Sequence, residues 1–175
     1  LDPDGRPRYT ARGRAALALP AAPALLEDLP PARETPYRGG ALFHGPRFRA
    51  LAPLEGLGEA GATAWLVGAA ALGWTRRPGR GAQRTDTPRL DGALQLGVLV
   101  TEHLTGGASL PTRVGALTLR LDGPGEAAGR AGSRTRARSA DQITHDIVAL
   151  DAEGAPWAVV EGFETTRRPG GKPRS

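Results

Sequence analysis

Asp91 and Gln95 carry the sharpest chemical signal in the chain, four residues apart in LDGALQ, Leu90 to Gln95. On a helix that spacing sets both side chains on one face, and Leu90, Ala93, Leu94 and Leu96 make their surroundings apolar. A buried amide without a partner costs a few kcal/mol, so Gln95 needs one, and Asp91 is the obvious candidate. Two readings of Asp91 stay open at this level. It is either an acid favoured at a helix N-terminus by capping and the macrodipole, or a carboxyl group placed in an apolar site for acid–base work. Upstream, His44-Gly45-Pro46-Arg47-Phe48 lies within LFHGPRF. Pro46 fixes the backbone and Gly45 permits close approach or an unusual φ, while Phe48 is expected to anchor a strand in the core. His44 could exchange a hydrogen bond with a site, or it could be an ordinary loop histidine.

The other titratable residues are less suggestive. His103 to Pro111 reads as a helix end, a Gly-Gly loop and a strand entry. Asp141, His145 and Asp146 invite a metal, but no further ligand is evident, so no metal site is assigned. No G-x-S-x-G elbow, Walker motif or dinucleotide fingerprint occurs. With no cysteine, disulfides and thiolate–zinc sites are excluded, and a reducing, cytoplasmic location is expected. No apolar run is long enough for a membrane helix, and no secretory signal pattern opens the chain. The absence of methionine and the opening Leu1 suggest an excerpt of a longer polypeptide. Lysine occurs once, at Lys172, against 22 arginines. That skew, with abundant Ala, Gly and Pro, reads as base-composition bias, so the formal charge of +5 says little about partners. The arginines form no stripe interleaved with aromatics, and nucleic acid is not expected as a partner.

The elements that must position Asp91 and His44 follow from periodicity and turn chemistry. Leu90 to Leu104 is apolar over most of its circumference, so it is expected to be a helix buried on all sides. Phe48 to Leu57 and Gly61 to Val67 form an expected hairpin, and residues 75–89, with Pro78 and Pro88, an expected loop. Val114 to Leu121, Arg134 to Arg138, Ile143 to Leu150 and Trp157 to Phe163 read as strands. Asp151 to Gly154 turns the last two into a hairpin. One buried helix with about six largely antiparallel strands is α+β, a sheet curled around a central helix, which is the hot-dog architecture. Residues 15–36 are Pro- and Ala-rich and suit an extended linker, with the main domain at 37–168 and a disordered tail at 169–175. The chain also resembles itself: LDPDGRP at Leu1 and LDAEGAP at Leu150 align in register. That is either chance turn chemistry or a sign that Leu1 to Arg14 is the closing hairpin of a preceding, duplicated fold.

The order Tyr37, LFHGPRF, LDGALQ, LPTRVG (Leu110 to Gly115) and LDAEGAPWAVVEGF (Leu150 to Phe163) resembles the C-terminal half of the double hot-dog dehydratase domain of polyketide synthases. Leu1 to Arg14 resembles the tail end of the N-terminal half. The resemblance implies elimination of water from a β-hydroxyacyl thioester, carried on the phosphopantetheine arm of an acyl carrier protein, with no other cofactor. It implies that Asp91 is the acid that helps the β-hydroxyl leave and that Gln95 orients it. His44, Gly45, Pro46 and Phe48 fall on the substrate-binding loop, with His44 where many members have tyrosine. Thr87-Pro88 replaces a frequent His-Pro. The implied partners are the N-terminal half of the same parent chain, the carrier protein and a homodimer formed through the parent synthase, with no nucleic acid and no membrane. The base, a histidine of the first half, is not in this chain, so the fragment alone is expected to be inactive. Two alternatives are an inactive dehydratase-like scaffold or carrier-docking module, and another hot-dog enzyme such as a thioesterase.

Overall fold

Helix α1, Thr87–Thr105, is bounded by local chemistry at both ends. The Asp86 carboxylate accepts the Arg89 N–H at 3.1 Å and caps the start. Pro88 fits the first turn, where its missing N–H would have no helical partner anyway. Gly106, at φ 68°, ends the helix in the left-handed conformation and donates its N–H to Glu102 O at 2.8 Å. The helix therefore begins at Thr87 rather than Leu90, because a proline taken as a loop marker is a first-turn residue.

The computed structural model describes residues 19–32, 36–37, 42–74, 85–121, 123–124 and 127–168. Among them six strands form one antiparallel sheet: β1 Leu51–Gly58, β2 Gly61–Leu66, β3 Ser109–Leu119, β4 Gly129–Arg138, β5 Gln142–Leu150 and β6 Pro156–Arg167. Their spatial order is β1-β2-β4-β5-β6-β3. The helix touches all six strands, so the sheet curls around it as its apolar circumference requires. Leu96 and Val100 are fully buried with Leu66, Ile147, Val160, Phe163 and Trp157. Two helix glycines permit this closeness. A Cβ on Gly92 would come within 2.9 Å of Ala50, and one on Gly97 within 2.9 Å of the Phe163 ring.

Three expectations need correction. Phe48 does not start the first strand; Pro46–Phe48 is a 3₁₀ turn, closed by Phe48 N–H to Gly45 O at 2.9 Å, and β1 begins at Leu51. The strand expected from Val114 begins at Ser109 and ends at Leu119. Among the described residues it is an edge strand paired with β6 alone, so residues 110–117 are exposed and the alternation there does not sort inside from outside. Within the linker expected at residues 15–36, the described stretch 19–32 meets the sheet: Leu57 N–H donates to Pro30 O at 3.0 Å. Leu25, Leu26 and Leu29 rest over Gly132, Gly61 and Gly56, on the face away from the helix by strand alternation. The hairpin expected at residues 1–14, most of the 75–89 loop and the 169–175 tail fall outside the described residues. No described helix is long and apolar enough to cross a membrane.

Candidate active site

Asp86 already caps α1, and Asp91 sits a turn further along, so capping does not account for it. Its Oδ2 accepts a hydrogen bond from Gln95 Nε2 at 2.6 Å. The same oxygen lies 3.8 Å from His44 Nε2, with the Asp91 side chain 37% exposed and that of His44 19%. Three sequence-selected groups thus meet at one place, two on the helix and one on the segment leading into β1.

Gln95 is the anchor. It is buried, and its remaining N–H donates to Phe48 O at 2.9 Å. Its carbonyl accepts from Tyr37 Oη at 2.7 Å. Tyr37 Oη in turn accepts the Leu51 N–H at 2.9 Å, tying the start of β1 into the same network. Burial, aided by the Asp91 charge and opposed by the Leu51 N–H and Arg49, pushes the Tyr37 phenol up to about 12. The phenol is therefore a neutral donor at any ordinary pH.

Around this network lies an aromatic rim. Phe43 stacks on His44 with ring centroids 5.0 Å apart and planes 13° from parallel. Phe48 meets Trp74 edge to face at 4.9 Å, and Trp74 Nε1 donates to Arg47 O at 2.6 Å. The guanidinium of Arg49 lies over the Tyr37 ring at 5.5 Å and donates to His44 O at 3.3 Å.

Two expected reasons for the loop residues do not hold. Phe48 is 46% exposed, so it is not a core anchor; its link to Gln95 is a backbone carbonyl. Gly45 has φ −66° and ψ 169°, with open space where a Cβ would stand, so its conformational freedom is not used. Pro46 occupies the first position of the 3₁₀ turn. Tyr37, Phe48 O and Asp86 are the contributors without a role at the sequence level. The available signal was arithmetic: a buried amide has two donors and a carbonyl, more than Asp91 alone can satisfy.

The remaining titratable groups go elsewhere. His103 is exposed in the last turn of α1. His145 is fully buried, its Nε2 3.0 Å from Thr101 Oγ1 and 3.2 Å from Thr165 Oγ1. Burial holds it down to about 4 against the opposing Asp146 charge. Asp146 pairs with Arg136, and Asp141 lies 3.9 Å from Arg167. Among the described residues no group of three or more His, Cys, Asp or Glu side chains could hold a metal ion. A cleft between Leu25–Leu29 and β1, β2 and β4 shares no residue with the Asp91 network.

Comparison with known proteins bears on the family and the fold. The family model described as "polyketide synthase dehydratase N-terminal domain" matches residues 21–175. No curated protein sequence matches. Similar solved structures include the dehydratase domain of RzxB from Pseudomonas fluorescens, 20% identical with a TM-score of 0.56, covering 70% of this chain and 42% of that one. The dehydratase domain of PpsC from Mycobacterium tuberculosis, in complex with C12:1-CoA, is 24% identical with a TM-score of 0.52, covering 71% and 46%. A bifunctional dehydratase-cyclase domain from ambruticin biosynthesis is 27% identical with a TM-score of 0.52, covering 71% and 42%. The chain spans less than half the length of each of these structures. Their shared feature is the hot-dog sheet around one helix.

Proposed function

Since the chain belongs to the polyketide synthase dehydratase family, we propose that it supplies the acid half of a site that removes water from a β-hydroxyacyl thioester. In this reading the chain is the C-terminal hot-dog half, a placement that rests on the order of its motifs and not on the matching family model, which is described as an N-terminal domain. A histidine of the other half takes the α-proton. The electrons of that C–H bond form the new α,β double bond as the β C–O bond breaks. Hydroxide is a poor leaving group, so Asp91 hands it a proton and it departs as water. Both contacts on Asp91 fall on Oδ2, and Oδ1 is assigned to the substrate.

One observation carries the reading: a partly exposed carboxyl group, not used as a helix cap, held by a buried amide that is itself tied to Tyr37 and Phe48. His44, with Gly45, Pro46 and Phe48, lines the same mouth and contacts the acyl chain or the arm that carries it. The partners are the N-terminal half, an acyl carrier protein whose phosphopantetheine arm holds the substrate, and a second copy met through a parent synthase in the cytoplasm. No cofactor is assigned beyond that arm.

The test is Asp91→Asn in the parent domain, assayed with a β-hydroxyacyl thioester. Dehydration should fall by about 10²- to 10⁴-fold, with an unchanged melting profile. Near-normal turnover in the folded variant would end the assignment.

A further inference from the structure

The Tyr37 hydroxyl has one proton and two lone pairs to place. One lone pair takes the Leu51 N–H at 2.9 Å, and the proton goes to Gln95 Oε1 at 2.7 Å. Gln95 then offers both N–H groups to acceptors, Phe48 O and Asp91 Oδ2. Every corner of the amide is committed. Among the described residues the phenol is the one donor to the amide carbonyl, on a residue 2% exposed. Without it, a buried carbonyl loses its donor and the amide is free to turn away from Asp91. Because the phenol stays un-ionised, that donor does not switch off over the working pH range.

We propose that Tyr37 is a positioning residue for the dehydration step: it fixes the Gln95 amide, and through it the Asp91 carboxyl group, without touching substrate. This rests on the dehydratase reading above. It extends the site upstream of His44 on the segment before β1, to a residue 58 positions from Gln95.

Tyr37→Phe in the parent domain should lower kcat about tenfold, the size of one lost hydrogen bond in a buried network, and change KM by less than about twofold. In a Gln95→Leu background the same change should add nothing, because the phenol acts only through the amide. Additive losses, or an unchanged kcat while Asp91→Asn is inactive, overturn the role of Tyr37 and leave the dehydratase reading standing. Turnover by Asp91→Asn has the opposite meaning and removes that reading first. A measurement free of both activity and the folding of Tyr37→Phe is proton NMR of the chain itself. A slowly exchanging Tyr37 hydroxyl proton should show a cross-peak to the Gln95 side chain and vanish in Gln95→Leu. A rapidly exchanging hydroxyl with no such cross-peak overturns the proposal.

Discussion

A carboxyl group at a protein surface does little chemistry until something fixes its direction, and at Asp91 the Gln95 amide does so. Gln95→Leu should therefore reduce dehydration in the parent domain by less than Asp91→Asn, since it removes orientation rather than the proton; rates for the two variants side by side decide this. A second residue-scale consequence concerns stability. His145 titrates near 4 when folded, against an ordinary value of 6.5, because burial disfavours its charged form. A base whose folded value is depressed stabilises the fold only while neutral. That contribution is full above pH 6.5, shrinks as the pH falls toward 4, and amounts to roughly 3 kcal/mol. Urea denaturation at pH 7 and pH 4.5 should show a loss that is smaller in His145→Gln. Equal losses would place the acid sensitivity on the carboxylates instead.

At the scale of elements, the helix packs closely on the sheet at Gly97, where no side chain intervenes. Glycine inside a helix costs about 1 kcal/mol relative to alanine, yet a Cβ on Gly97 would stand 2.9 Å from a Phe163 ring that is itself fully buried. Overpacking of this kind costs about 1–3 kcal/mol. Gly97→Ala should thus lower the denaturant midpoint despite its better helix propensity, and a raised midpoint would mean that Phe163 yields. The start of α1 is a second such point. Asp86 caps it, accepts the Ala69 N–H at 3.2 Å and stands 3.4 Å from the buried Arg89 guanidinium. Asp86→Ala should cost about 2 kcal/mol, the upper end for a lost cap, read from the same denaturation curves.

For the molecule as a whole, β3 leaves its outer edge unpaired among the described residues, with Leu110, Val114 and Leu117 all more than 40% exposed. A long apolar edge is a template for association. Sedimentation velocity of this chain should show association that rises with concentration and is suppressed in Leu117→Lys, without loss of melting temperature. A monomer at all concentrations would argue that the edge is inert. The proposed division of the site between two halves has its own consequence. The chain by itself should not dehydrate a β-hydroxyacyl thioester, and robust turnover would require a base within it.

What the sequence determined by itself is what depends on near neighbours. The apolar circumference of Leu90 to Leu104 required a buried helix, the four-residue step from Asp91 to Gln95 put their side chains in reach, and Asp151 to Gly154 turned the last hairpin, with Gly154 at φ 82°. Helix and turn geometry fix such relations within a few residues, so pattern suffices to read them. The true start of α1 was also written locally, in Asp86-Thr87-Pro88, but a proline at the first turn and a proline in a loop look alike until the chain direction around them is known. Only the tertiary structure could bring Tyr37 and Phe48 O to Gln95, across 58 and 47 residues. The same holds for His44 beside Asp91 and for β3 at the edge, next to β6. Those contacts depend on how the sheet closes around the helix, and closure is a property of all six strands together, which no local spacing encodes.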